Sequence, residues 1–245
     1  MSNKKLSKII GKSEEFDQET LLLSEKSPFS VQEAYKTLRT NVMFSLPGTG
    51  CKCIGITSAD RGDGKSSVAI NLAIAFAQLK KKVLIIDCDM RLPTVASKLG
   101  IKSSPGLSNL LAGQIDVKEK LIFRVNSRGI DVLVAGDIPP DPTVLLESRQ
   151  MSKLIEMLKS HYDYIVFDFP PVSVVTDAVI LSKDIDGYFL IVRHNYSEYG
   201  RMNNVIRIMN FAEAKVLGFV YNGKSANTRS IGNKNYYYKH HYYKK

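Results

Sequence analysis

Cysteine is scarce in this 245-residue chain: there are three, an odd number and none in a metal-like array. That excludes a disulfide-built scaffold and fits a reducing compartment. Long apolar runs are missing as well. The longest nearly apolar stretch, residues 68–77, contains Asn71 and falls far short of the roughly 20 residues a bilayer requires. Lysines 4, 5, 8 and 12 near the start have no apolar segment behind them, so no secretory signal is read. Acidic residues are absent from both ends. Residues 1–12 hold four lysines and residues 224–245 hold six Lys/Arg, neither with an acid; between them 24 basic residues face 24 acidic ones. The formal charge of +10 therefore sits on the two ends, not on a folded face, and a nucleic-acid partner is not expected. Basic ends point instead to anionic lipid, an acidic partner or a segment meant for modification. With 44% hydrophobic and 24% charged residues, the body has the composition of a globular protein.

From residue 51 onward, short β-branched runs alternate with helical patterns. Strands are expected over 51–58, 82–87, 130–136, 162–168, 187–192 and 215–222, with helices over 66–80, 148–160, 174–182 and 199–213. Such alternation implies a mostly parallel twisted sheet with helices on both faces, an α/β fold. Residues 31–46 place Val31, Ala34, Leu38, Val42 and Leu46 at helical spacing, behind Pro28 and Ser30 and ahead of Pro47 and Gly48. Three parts follow: a loosely ordered basic arm (1–27), one folded α/β domain (28–223), and a mobile tail (224–245) too poor in aliphatic residues to build a core.

Chemistry concentrates first in ADRGDGKSS (59–67), lying between an expected strand and an expected helix. Gly62 and Gly64 let the backbone around Asp63 turn its N–H groups toward a β-phosphate. Lys65 supplies a point charge, the Ser66 hydroxyl a ligand for Mg²⁺, and the helix start through Ser67 a partial positive charge. Two apolar strands then end in carboxylates: Asp87, with Asp89 two residues on, and Asp168. In a parallel sheet these ends lie beside the phosphate loop. Asp168 and Asp87 are candidates to hold Mg²⁺, Asp87 also to accept a hydroxyl proton, and Asp89 to support that geometry. Asn222 closes the last strand and is either a nucleotide contact or a turn former. Cys51 and Cys53 share a strand face and read as packing, as does Cys88.

The tail carries Tyr236, Tyr237, Tyr238, Tyr242 and Tyr243 within eight residues, five of the twelve tyrosines. Fourteen residues separate Asn222 from Tyr236, at most about 46–50 Å extended and about 20 Å as a coil, enough to reach a neighbouring site. Five phosphates would take the tail from +6 to roughly −2 to −4.

Taken in order, EAYKTLRTN (33–41), the phosphate loop, IIDCDMR (85–91), GDIPPDP (136–142), DFPP (168–171) and the tyrosine cluster resemble the bacterial tyrosine kinases of capsule and exopolysaccharide assembly, the free-standing cytoplasmic type. The resemblance implies a P-loop NTPase fold and binding of ATP and Mg²⁺ by Lys65, Ser66, Asp87, Asp89 and Asp168. It implies phosphorylation of the tail between subunits and ring-like homo-oligomers held by the helix of Glu33, Lys36 and Arg39. It also implies a membrane-embedded polysaccharide co-polymerase that activates the enzyme and recruits it from the cytoplasm, and a cognate tyrosine phosphatase. Lys36 stands where the family's helix usually has Arg. The alternative is a nucleotide-switched assembly ATPase of the cell-division and partition type, whose extra loop lysine would fall at position 60, here Asp60.

Overall fold

The computed structural model describes residues 10–12, 22–115 and 121–223. Its elements are β1 (Ile10–Lys12), α1 (Phe29–Ser45), β2 (Lys52–Ser58), α2 (Lys65–Ala77), β3 (Val83–Asp87), α3 (Val95–Leu99), α4 (Leu107–Leu111), β4 (Ile122–Val125), β5 (Ile130–Leu133), α5 (Pro142–Leu146), α6 (Arg149–Lys159), β6 (Tyr164–Asp168), α7 (Asp177–Ile180), β7 (Gly187–Arg193), α8 (Tyr199–Phe211) and β8 (Val216–Asn222). The strands form one sheet in the order β1-β4-β5-β3-β6-β2-β7-β8. All pairings are parallel except β4 with β5.

Why these runs become central strands is visible in their burial. All five residues of β3, and all of β2 after Lys52, are buried, as continuous Val/Ile runs covered on both faces should be. Alternate side chains feed two cores. Leu84, Ile86, Ile165 and Phe167 join one cluster with residues of α4–α8, while Ile85, Val166 and Ile191 join the other with α1–α3. Helix α2 is apolar almost all round and correspondingly buried from Val68 to Phe76. Gly55 in β2 lies under the Tyr188 ring, where an added Cβ would come within 2.3 Å of two ring carbons, so only glycine lets Tyr188 lie flat there. The Tyr188 hydroxyl donates a hydrogen bond to the Ala178 carbonyl at 2.6 Å.

The structure differs from the sequence-based expectation at the edges. The hairpin of β4 and β5 turns through residues 126–129 and inserts an antiparallel strand that the apolar pattern did not separate from β5. Short helices α3, α4 and α5 fall in stretches with too few residues to show a period. The expected 174–182 helix shrinks to four residues. Leu22 and Leu23, inside the segment expected to be a loose arm, are buried in the α1–α2 core, and the Leu23 N–H donates to Asn71 Oδ1 at 2.8 Å. Asn71, the polar residue that interrupts the apolar run, is thus a socket for that segment. Of the periodic positions in α1, Val42 and Leu46 are buried and Leu38 packs against the core, whereas Val31 stays exposed. The expected tail (224–245), with its five tyrosines, lies outside the described residues, as do 1–9, 13–21 and 116–120.

Candidate nucleotide site

The carboxyl ends of β2, β3 and β6 meet at one place because the strands are neighbours in register. Ile56 pairs with Asp168, and Asp87 pairs with Asp168. Strand β2 runs straight into the phosphate loop, which delivers Lys65 as the first residue of α2. Gly62 and Gly64 have φ of 81° and 95°, the left-handed region that glycine enters freely. A side chain at Gly64 would also collide with Asn222, whose Nδ2 would lie 2.1 Å from the new Cβ. The loop is therefore closed down onto the last strand.

Several side chains hold that loop. Asn222 Nδ2 donates to the Asp63 carbonyl at 2.8 Å, and Arg193 Nη1 donates to the Gly62 carbonyl at 2.9 Å. The Asp63 carboxylate is fully buried and turned inward, accepting from the Asp60 N–H at 3.2 Å and the Ser197 hydroxyl at 2.9 Å. Its side chain braces the loop, leaving the backbone to face a ligand. Asp60 in turn pairs with Arg201 at 2.7 Å. Ser66 accepts a hydrogen bond from the Thr94 hydroxyl at 2.8 Å, and Ser67 sits half-buried on the same first turn.

The carboxylates divide by partner. Asp87 is fully buried, its two oxygens accepting from the N–H groups of Asp89 and Val95, both at 3.2 Å. Burial, then the charge of Asp168, raises its pKa well above the carboxylate range. Asp89 accepts from the Leu92 N–H at 3.0 Å; partial burial raises its pKa, against the pull of that bond and of Lys65. Asp168 is 1% exposed, and neither of its oxygens has a hydrogen-bond partner of good geometry. Burial pushes its pKa up to about 7, with nearby Ser66 and Lys65 pulling it back in part.

A buried carboxylate with two empty oxygens is costly unless a cation completes it. Asp168, Ser66 and Lys65 fit a magnesium-bound phosphate group on that ground. Mg²⁺ takes few protein ligands and completes its shell with phosphate oxygens and water. Consistently, among the described residues no cluster of three or more His, Cys, Asp or Glu could hold a metal unaided.

A knot that sequence reasoning did not anticipate stands beside Asp89. Asp177, fully buried at the start of α7, lies 3.6 Å from Arg91 Nε, and both Arg91 Nη2 and Asp177 Oδ1 reach the Thr143 hydroxyl, at 3.1 and 3.3 Å. Asp141 caps α5 by accepting from the Thr143 N–H at 2.9 Å. The only signal was three polar residues scattered over 86 positions, which no local pattern joins. The expected interface helix shows Glu33 and Lys36 paired to each other at 2.7 Å on the surface, while Arg39 donates to the Ala75 carbonyl of α2 at 2.7 Å. Cys51 is half-buried, and Cys53 and Cys88 are buried, all as unpaired thiols.

A parallel sheet ending in a glycine-rich loop, a buried loop lysine and paired strand-end aspartates defines a P-loop NTPase. Residues 51–215 match the family model described as AAA domain. The chain is 37% identical over 198 residues to tyrosine-protein kinase YwqD of Bacillus subtilis, covering 81% of this chain and 83% of the relative. The kinase domain of Escherichia coli tyrosine kinase ETK superposes with a TM-score of 0.76 at 30% identity, covering 84% of each chain. The septum site-determining protein MinD of Pyrococcus horikoshii, complexed with Mg-ADP, superposes at 0.61 with 24% identity over 76% of this chain and 75% of that one, a likeness of fold alone. The chain belongs to the bacterial tyrosine-protein kinases, and its enzymatic class is that of a protein-tyrosine kinase. No helix among the described residues is long and apolar enough to cross a membrane.

Proposed function

We propose that this kinase binds Mg·ATP at the phosphate loop and phosphorylates the tyrosine cluster of another copy, Tyr236, Tyr237, Tyr238, Tyr242 and Tyr243. The observation that carries the reading is the pair of unpartnered Asp168 oxygens, buried beside Lys65 and Ser66. When bound, Mg·ATP supplies the γ-phosphoryl group and the divalent charge that neutralises it. Lys65 holds the phosphates through its ammonium; Ser66 and Asp168 hold the metal, with Asp87 next to them. The loop backbone, fixed by Asp63, Asn222 and Arg193, orients the triphosphate, and Asp89 supports the Asp87 turn. Phosphoryl transfer asks mainly for positioning and charge neutralisation, which this set supplies. The tyrosine hydroxyl oxygen joins the γ-phosphorus as its bond to the ADP oxygen breaks. The phenolic proton leaves late, and Asp87, beside the metal-holding groups, is the carboxylate placed to accept it.

Around this core we place the wider reading carried by the resemblance. It comprises a cytoplasmic enzyme in ring-like homo-oligomers through the Glu33–Lys36–Arg39 helix, a membrane-embedded polysaccharide co-polymerase that recruits and activates it, and a tyrosine phosphatase that resets the tail. The output is control of capsule or exopolysaccharide synthesis and export. The assembly-ATPase alternative loses support at Asp60, which is committed to Arg201 where that class needs a lysine.

The test is incubation of the purified full chain with Mg·ATP, phosphotyrosine blotting, and modification mapping. Phosphate on the 236–243 cluster, lost with all five tyrosines changed to Phe, is expected. ATP hydrolysis without phosphotyrosine would favour the assembly ATPase instead.

A further inference from the structure

We infer that the end of the molecule opposite the phosphate loop, where the parallel strands begin, is a contact surface for anionic membrane lipid. Large apolar side chains stand exposed there: Met43 at 42% and Phe44 at 80% where α1 closes, Leu79 at 43% just past α2, and Phe211 at 93% where α8 closes. These helices finish at one end because each leads into a parallel strand: α1 into β2, α2 into β3, and α8 into β8. Asn71 Nδ2 donates to the Tyr35 hydroxyl at 3.1 Å, and Arg39 Nη1 to the Ala75 carbonyl at 2.7 Å. Helices α1 and α2 therefore run parallel, and one turn further on Met43 comes level with Leu79. Exposed apolar groups of this size mark a surface that meets something other than water.

Charge is divided along the same axis. The connections entering strands at this end are residues 46–51, 78–82, 126–129, 160–163, 181–186 and 212–215. They hold six basic and four acidic residues, and Lys52 at the start of β2 adds another base. The connections at the phosphate-loop end, 59–64, 88–94, 134–141, 169–176 and 194–198, hold two basic and six acidic residues. Two of the four acids at the basic end are turned to the backbone: Asp163 accepts from the Lys82 N–H at 2.8 Å and Asp186 from the Cys53 N–H at 2.7 Å. Lys80, Lys81 and Lys82 are exposed next to Leu79, and among the described residues none of them pairs with an acid. The turn that presents them is fixed, with Lys80 at a φ of 59° and its N–H donating to the Ala77 carbonyl at 2.8 Å.

The occupant follows from this combination. Apolar tips among lysines suit a lipid interface: the tips enter the acyl boundary, while long stems leave the ammonium groups among anionic headgroups. A second copy fits worse, since its matching end is equally basic and its acidic end carries the phosphate loop. The surface also gives the molecule an orientation on the lipid. Asn222, after which the tyrosine tail begins, closes β8 at the far end, so the phosphate loop and the start of the tail point away from the membrane.

The experiment is co-sedimentation of the full chain with vesicles of phosphatidylcholine alone and of phosphatidylcholine mixed with phosphatidylglycerol. Two variants are compared with the parent: Lys80→Gln with Lys81→Gln and Lys82→Gln, and Phe44→Ser with Phe211→Ser. All these side chains are exposed and far from the phosphate loop, so circular dichroism and ATP binding should match the parent. The parent should partition onto the anionic vesicles and far less onto the neutral ones. The lysine variant should lower the anionic partition coefficient about ten- to a hundredfold, the scale set by single basic residues at a charged bilayer. The phenylalanine variant should lower it about tenfold and abolish the binding that survives high salt. Equal binding of the parent and the lysine variant would assign any lipid affinity to the terminal lysines and overturn the surface. So would a parent with no preference for anionic vesicles, the result expected if the four acids of residues 13–21, outside the described residues, covered the lysines. Loss of self-association in the phenylalanine variant with vesicle binding intact would give the surface to a second copy. None of these readouts involves phosphotransfer, so the kinase reading stands or falls separately.

Discussion

Asp87 and Asp168 are register partners at the carboxyl ends of adjacent parallel strands, yet their oxygens meet opposite fates. Asp87 accepts a backbone N–H on each oxygen; Asp168, equally buried, accepts none. One carboxylate is anchored to the protein; the other is the one we propose meets the metal. Burial raises the proton affinity of both, and for Asp87 the charge of Asp168 adds to it.

Removing the loop cation tests the site most directly. Lys65→Met should lower ATP-dependent tyrosine phosphorylation by at least about 10²-fold, the scale on which lost electrostatic stabilisation acts. The circular dichroism spectrum should be unchanged. Phosphotyrosine blotting reads the result, and a full signal in the variant would remove the assignment of Lys65.

Gly64→Ala should weaken nucleotide binding through two separable causes. The φ of 95° costs a side chain about 1–2 kcal/mol, and the Cβ strikes Asn222. Adding Asn222→Ala removes the collision but not the backbone strain, so the double variant should recover affinity only in part. Titration with a fluorescent ADP analogue measures both.

Nucleotide-free protein should lose stability as pH rises. Asp168 has a folded pKa near 7, above its unfolded value, so between about pH 4 and 7 the folded state binds the extra proton. Its contribution is complete below the unfolded value and is lost as pH climbs through the folded one. Asp168→Asn should flatten the fall between about pH 4 and 7 and raise the melting temperature at pH 8, an effect on the order of a few kcal/mol. A parent curve as flat as the variant's would show that Asp168 is not dry.

Breaking the knot at Asp177 should cost both fold and function. Asp177→Ala removes the buried acceptor of the Thr143 hydroxyl and the ion-pair partner of Arg91, a loss of about 1–3 kcal/mol in chemical denaturation. Because Arg91 follows Asp89 by two residues, phosphotransfer should fall more than nucleotide affinity. A variant with parental turnover would confine Asp177 to packing.

Much of this was legible from residue order. A five-residue apolar run ending in Asp87 and another ending in Asp168 specify buried parallel strands, because both faces must be dry. The glycine spacing around Asp63 specifies the loop. What escaped was set by long-range partners. Nothing local marks Asp177, because its partners lie 34 and 86 positions away. Nor does the polarity of Asp63 reveal that its side chain turns inward, since that depends on Ser197 arriving from the loop after β7, 134 positions away. Leu22 and Leu23 lacked periodicity; the α1–α2 core, the amide of Asn71 and the guanidinium of Arg128 give them a place.

One contact reaches beyond nucleotide chemistry. The side chain of Asn222 latches the final strand onto the carbonyl of Asp63, two positions before the segment that bears the tyrosine cluster. A load applied to that terminus, by a neighbouring molecule or an anchored partner, would therefore be felt at the phosphate loop, and the proposed hold on nucleotide would answer to tension.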